Sequence, residues 1–453
     1  MHGIIKCAAL AAATSLAACS LDLANPNAPT EVQVTTDVQG VIALATGLQS
    51  RFATSYGNFA YMAGLVTDEF ASQTASLVSI SDAEQGSVAP GTAIADNVFN
   101  SVYRTVRTAD DLLTGAEALA SQFEAGTYTG LRALAFALKG EALGEALQSY
   151  QQIPINTFGQ TQPTYVARSV ALAHVRALLD SAANAISAPN APPSTFFNNN
   201  ILTPGVSLTN TIQLFRARYA RMANDHAGAV AAANQVARSG TAAMSVLTFP
   251  SPNVNFFANV TGGVNGIAPR RQWRLSMSAT DARAPYFVVP STATGRVGAL
   301  LDLWNRYANP NAPLPVYFPD EALLIKAEAL ARQGSPAQLA EAQAVLDSVR
   351  TDCTGGRGID DPKACLAPLA GPLTQAQLLD EIYLQRRYEL FGTGLRWEDS
   401  RRRTAVHGPV AAPGVPVDGQ ICWLPYAVGD RNANPNVPPD PAPPAYPSSC
   451  PTT

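Results

Sequence analysis

The stretch DEALLIKAEALARQGSPAQLAEAQAVLDSVRT, residues 320–351, spells two helices back to back. Gly334 supplies the C-terminal stop of the first. Ser335 is the N-cap of the second, Pro336 its first helical position, and Gln338 completes a capping box with Ser335. A connection this short makes the two helices pack antiparallel. Outward from this pair, apolar residues recur three or four apart in 33–55 (Val41, Leu44, Leu48, Phe52), 97–120 and 129–148 (Leu131, Ala135, Leu138, Ala142, Ala146), which predicts amphipathic helices. Residues 166–187 and 208–221 continue the pattern, and the Ala-rich 225–239 would let neighbouring helices approach closely. Thr374 with Gln377 caps a further helix that turns Leu378, Leu379, Ile382, Tyr383, Leu390 and Phe391 inward before Gly392 ends it.

Helix pairs repeating at about 34 residues predict a mostly-α fold, a tetratricopeptide-like helical repeat. No pair carries the full repeat consensus, so the expectation rests on helix pairing alone. Between 240 and 318 the pattern changes to Asn, Gly, Pro and aromatics, which predicts long irregular loops with short strands. A second Pro-rich stretch runs from 404 to 453, where Trp423, Tyr426 and the couple Cys422 and Cys450 argue for a tail strapped onto the fold. The organisation expected is an N-terminal helical region, 31–240, and a smaller, loop-rich C-terminal region, 241–453.

Composition narrows the function. The formal charge is −4 and the 30 Lys and Arg residues are scattered, so the chain offers no electrostatic footprint for nucleic acid. Charged residues are only 14%, against 32 Gly and 34 Pro, and loops of that kind are where binding usually resides. Four cysteines lie outside the first 19 residues, in two local couples. An exported chain favours disulfides, and the pairing expected is Cys353 with Cys365 and Cys422 with Cys450, each closing a loop whose constraint is worth about 3 kcal/mol. His174, His226 and His407 stand too far apart in sequence for a zinc site, and no cofactor is called for.

The N-terminus is an export signal. Lys6 precedes an uncharged Ala/Leu-rich run, residues 7–18, that ends Leu16-Ala17-Ala18-Cys19. About twelve apolar residues cannot span a bilayer, which needs roughly 20. Leu-Ala-Ala-Cys resembles the bacterial lipobox, in which the cysteine sulfur is acylated after cleavage. Signal peptide 1–18, lipidated Cys19 and a tether, 19–30, follow, with a membrane anchor made of lipid.

The segment Glu381-Ile-Tyr-Leu-Gln-Arg-Arg-Tyr-Glu-Leu-Phe-Gly-Thr-Gly-Leu-Arg-Trp-Glu-Asp-Ser-Arg-Arg402 resembles the C-terminal signature of the SusD/RagB outer-membrane lipoproteins. Asp281 and Arg283 of an Asp-x-Arg motif, the helix from Glu321 to Leu330, and Leu424-Pro425 followed by Asn432 to Asn436 agree with that family in order. Val98 to Leu113 resembles its aromatic-rich helix, with Asp110 where Asn is common, and Tyr317-Phe318-Pro319 replaces an Arg-containing approach. The resemblance implies a surface-exposed nutrient-binding lipoprotein of the cell outer membrane, extracellular-facing. Such a protein acts as the lid of a TonB-dependent (SusC-like) transporter, captures oligosaccharides and is not an enzyme.

A sugar's C–H face stacks on an aromatic ring while its hydroxyls need planar polar partners. Trp273 with Arg274, Tyr286, and Trp304 with Asn305 and Tyr307 have that chemistry, and by family analogy Asp68, Glu69, Phe70 and Gln73 would add a rim. In the signature, Arg386, Arg387, Glu389, Arg396, Glu398, Asp399, Arg401 and Arg402 could pass for an acid/base array. Alternating charges beside a helix end more often form a structural ion-pair network, with Trp397 as a plug within it. No nucleophile elbow, His-Glu-x-x-His, phosphate loop or dinucleotide fingerprint occurs. A glycoside hydrolase needs only two carboxylates, and helix pairs alone would also suit a scaffold for outer-membrane assembly. Nutrient capture ranks first, the scaffold second and the hydrolase last. On fractionation, Cys19→Ser should move the protein from the membrane pellet to the soluble fraction; retention in the pellet would reveal a different anchor.

Overall fold

The computed structural model describes residues 34–240, 243–261, 263–353, 360–407 and 421–441. The signal peptide, Cys19, the tether and Cys450 lie outside them. Helix makes up 57% of the fold and strand 6%, the mostly-α class expected. Six helices of eight residues or more come first: α1 (Val38–Leu65), α2 (Ala93–Ala118), α3 (Ala125–Ser149), α4 (Arg168–Ala185), α5 (Leu208–Met222) and α6 (His226–Ala233). Four more of that length follow an irregular insertion: α7 (Pro319–Gln333), α8 (Pro336–Arg350), α9 (Gln375–Glu389) and α10 (Leu395–His407). Each of α1 to α8 packs on the next in chain order, and α9 returns onto α7. The stack is unbroken between α6 and α7, although 85 residues separate Ala233 from Pro319 in the chain. One apolar cluster accordingly runs from Val41 to Ala427.

Local chemistry accounts for most boundaries. Both capping boxes form, Ser335 with Gln338 and Thr374 with Gln377, and Gly334 closes α7 at φ 78°. Helix α1 extends ten residues beyond the expected 55. In its last turns, from Ser55 to Leu65, every residue but Asn58 is buried, and a helix enclosed on all sides loses its apolar stripe and with it the periodic signal. Helix α6 is shorter than the expected 225–239, because the Ala237 N–H donates to the Asn210 side chain (3.0 Å) instead of a helical carbonyl. The charged run after Gly392 is a helix in its own right, α10. Gly394, at φ 83°, admits the chain there, since a Cβ would lie 2.5 Å from the Phe59 ring.

The insertion carries short antiparallel strands. β5 (Ile267–Pro269) pairs with β1 (Phe70–Ser72), Phe70 opposite Pro269, so the insertion is stitched to the loop after α1. β4 (Val246–Leu247) pairs with β8 (Leu314–Pro315), and β6 (Val288–Val289) with β7 (Leu303–Trp304). β2 (Gln152–Pro154) and β3 (Tyr165–Ala167) form a separate hairpin between α3 and α4. The Cys353–Cys365 disulfide closes the loop after α8. Cys422 is buried beside Trp423.

Ion pairs buried between helices hold the stack. Asp399 meets Arg386 (2.7 Å), Arg402 (2.6 Å) and Arg221 (3.1 Å), and Glu328 meets Arg332 (2.9 Å), Arg402 and Arg221 (3.4 Å). Burial alone would raise both carboxyls; the arginines outweigh it and hold them well below the usual carboxylate range. Arg283 joins Asp281 (2.6 Å), Glu389 (3.4 Å) and Gln385 (2.7 Å). Arg401 lies between the Trp397 and Trp423 rings, pairs with Glu398 (2.8 Å) and donates to the carbonyls of Cys422 and Gln148, both at 2.7 Å. Trp397 Nε1 donates to the Ile421 carbonyl (2.8 Å), so the 421–427 segment is strapped to α10.

Asp68 accepts two bonds from Arg396 (2.6 and 3.0 Å) and pairs with Arg387 (2.9 Å). Its neighbour Glu69 is buried with one weak contact, the Gly392 N–H at 3.4 Å. Burial, then the Asp68 charge, push the Glu69 carboxyl up to about 8.

Asp399→Ala should cost about 3–5 kcal/mol in denaturant unfolding, because the buried Arg386 loses its counter-charge and Arg221 and Arg402 each lose one of two. Removing the exposed partner Asp180 of Arg216 should cost about 1 kcal/mol or less. Glu69 keeps a proton in the fold that the unfolded chain releases near 4.5. Its contribution is therefore complete below that pH and is lost as pH rises through about 8. Glu69→Gln should flatten this decline, and an unchanged pH slope in unfolding midpoints would refute the assignment.

Candidate functional site

The aromatics expected to meet a ligand are brought together, but inside the protein. Phe70, Trp273, Trp304 and Tyr307 are buried, at 0 to 4% exposure, in a ring cluster where the insertion meets the turn after α9. Phe70 stands edge-on to Trp304 (5.2 Å) and Phe391 (5.6 Å), Trp273 lies 4.0 Å from Phe391, and Tyr307 stacks on Phe257 at 5.0 Å. Their polar handles are taken too: Trp273 Nε1 donates to the Arg387 carbonyl (3.1 Å) and Trp304 Nε1 to that of Ile267 (3.2 Å). These rings present no face to solvent, and the platform chemistry read from their sequence serves as packing here. Asp68, expected on a polar rim, is enclosed by Arg387 and Arg396.

The remaining expected residues lie on the outer side of the same cluster. Arg274 is half-buried and grips Asp302 at 2.6 and 3.1 Å. Tyr286 donates to the Asp360 carbonyl (2.9 Å) beneath the Arg306 guanidinium, 4.7 Å from the ring. Asn305 is exposed and donates to the Pro285 carbonyl (2.7 Å), and Gln73 is half-buried where its N–H meets Gly266 (3.0 Å). The signature residues are likewise enclosed: Arg386, Glu389, Trp397, Asp399 and Arg401 are buried, and Arg396 is held by Asp68. No acid in this array faces an opening where a substrate could reach it.

What sequence reading missed is the apolar surface around the cluster. Of the twelve large hydrophobic side chains most exposed in the described residues, nine lie on the insertion and the segment after β1: Leu77, Val78, Val264, Leu275, Val289, Val297, Leu300 and Leu303, with Val254 apart from them in the loop after β4. Val289 and Leu303 are cross-strand partners, and the Leu77 N–H bonds the Val264 carbonyl at 2.7 Å. Alternation explains them, since Val288 and Trp304 turn inward while their neighbours turn out. Scattered single valines and leucines in a loop-rich sequence give no sign of such a surface.

Residues 307–415 match the model of the SusD family. No curated protein matches the chain. Solved structures with the same fold include a SusD superfamily protein from Bacteroides vulgatus, at 14% identity over 91% of this chain and 98% of the other, with a TM-score of 0.64. A SusD homolog from Bacteroides thetaiotaomicron has 13% identity over 91% and 99%, TM-score 0.66. A SusD-like carbohydrate binding protein from Bacteroides fragilis has 14% identity over 89% and 100%, TM-score 0.65. The C-terminal signature thus lies inside the segment that matches the SusD family model, and the chain shares the fold of these SusD-like structures.

Proposed function

We propose that this protein is a lipid-anchored, surface-exposed outer-membrane lipoprotein that captures an oligosaccharide nutrient as the lid of a TonB-dependent transporter. The match of residues 307–415 to the SusD family model supports capture, and two structures of the same fold are described as carbohydrate binding proteins. No described helix is long and apolar enough to cross a membrane, which leaves the lipid on Cys19 as the anchor in this reading. The observation that carries the partner is the exposed aliphatic surface of the insertion. Apolar area concentrated on one subregion of a monomer marks an interaction face, and we assign it to the transporter.

The scaffold reading shares the helical stack but makes no use of a family signature that closes onto the insertion. In pulldowns from detergent-solubilised outer membranes, the tagged protein should recover a TonB-dependent transporter in stoichiometric amount. Leu300→Glu with Leu303→Glu should cut that recovery by about tenfold while leaving the melting temperature unchanged. Recovery of a barrel-assembly machine in place of a transporter would transfer the protein to the scaffold class.

A further inference from the structure

A row of hydroxyls stands on the outward side of α1. Thr46, Ser50 and Thr54 are each four residues apart and all exposed, one per helical turn and about 6 Å apart along the axis. Thr46 and Thr54 donate to the carbonyls of Ile42 (3.3 Å) and Ser50 (3.2 Å), which leaves their oxygen lone pairs outward. Facing this row is the loop after β4, and between the two lies a cleft of about 670 Å³.

The loop contributes two half-buried rings, Phe249 and Phe256, and two exposed amides, Asn253 and Asn259. It is held in place from behind. Asn311 donates to the carbonyls of Phe249 (2.7 Å) and Asn253 (3.3 Å), and the Asn255 amide donates to that of Asn309 (2.6 Å). Phe256 lies on α1 at Gly57, where a Cβ would come within 2.6 Å of the ring. The far wall is fixed as well: Gln49 accepts the Thr203 N–H (2.7 Å) and donates to the Ile201 carbonyl (2.9 Å). A second hollow of about 520 Å³ lies beside Asn198 and Ser207, lined by Leu202, the chain neighbour of Thr203.

No residue lining either hollow is charged. Other hollows on the same protein are unlike them, such as one of about 630 Å³ lined by Arg51, Arg104, Arg107 and Asp111. A carboxylate, phosphate or sulfate would find nothing in the uncharged groove to replace its hydration. A neutral, hydroxyl-rich chain would find accepting threonine hydroxyls, amides that both donate and accept, apolar rings for its C–H faces, and walls already ordered. We propose that this groove is a binding subsite for an uncharged oligosaccharide laid along the hydroxyl row of α1. The inference rests on the capture reading for its ligand class and adds the site and its preference for neutral sugars.

The test is calorimetric titration of the full-length acylated protein, in a detergent without a sugar headgroup. The probes are the neutral hexasaccharides of maltose, cellulose and laminarin, with hexagalacturonate as the anionic counterpart. At least one neutral probe should bind, and Ser50→Arg and Asn259→Ala should each weaken it by about tenfold. Val170→Arg, an equally basic addition at an exposed position outside the groove, should leave affinity unchanged. Undiminished binding by both groove variants would remove the site while leaving capture intact. Preferential binding of hexagalacturonate would overturn the neutral preference, and no binding at about 1 mM would overturn the sugar assignment itself. Transporter recovery is a separate readout, so failure of the lid is distinguished from failure of the groove.

Discussion

Two carboxylates shared among four arginines hold this structure together. Asp399 and Glu328 receive Arg221 from α5, Arg332 from α7, Arg386 from α9 and Arg402 from α10. Helices from either side of the insertion thus meet at one point, and removing either carboxylate leaves buried guanidinium charge short of a partner. Where a hydrophobic contact of the same size would tolerate sliding, charge-assisted bonds at 2.6 to 3.1 Å around Asp399 fix the angle between helices. The turn between α9 and α10 then sets Phe391 among the rings of the insertion, which carries the fixed geometry out to the surface.

From that centre the protein divides its labour. The helical stack supplies rigidity, and the insertion supplies surface. Its inward residues complete the aromatic cluster, and its outward residues leave aliphatic side chains in water. The cleft on α1 belongs to a different part of the surface, formed where the loop after β4 returns to the first helix. Capture and docking in the proposed function thus draw on different residues, although the insertion contributes to both.

Caps and periodicity made the helical architecture legible. Ser335 with Gln338 and Thr374 with Gln377 are local rules obeyed locally, and they located the helices that carry the signature. The fully enclosed end of α1 was not legible, because a helix buried on every side has no stripe. Nor was the helicity of α10, whose charges read in sequence as an ion-pair network beside a helix end; their partners come from α4, α5, α7 and α9. For the site, residue type was a poor guide. Trp273 and Trp304 have the chemistry of a sugar platform but lie in the core, whereas Thr46, Ser50 and Thr54 look like an ordinary solvated helix face and line the cleft. Burial is set by contacts between residues distant in sequence, and it decided both cases.

The pairing of Asp68 with Arg396 spans 328 positions of the chain. Contacts of such long range form late, because the loop between them must close before they return any energy. A polypeptide exported from its N-terminus would present Asp68 to the far side of the membrane long before Arg396 emerges. Until then the aspartate and the ring cluster beside it lack the partners that close over them. The first helices can therefore assemble early, but the insertion cannot be sealed until nearly the whole chain has been delivered. For an exported lipoprotein of the kind proposed, completion of folding would thus be coupled to completion of export.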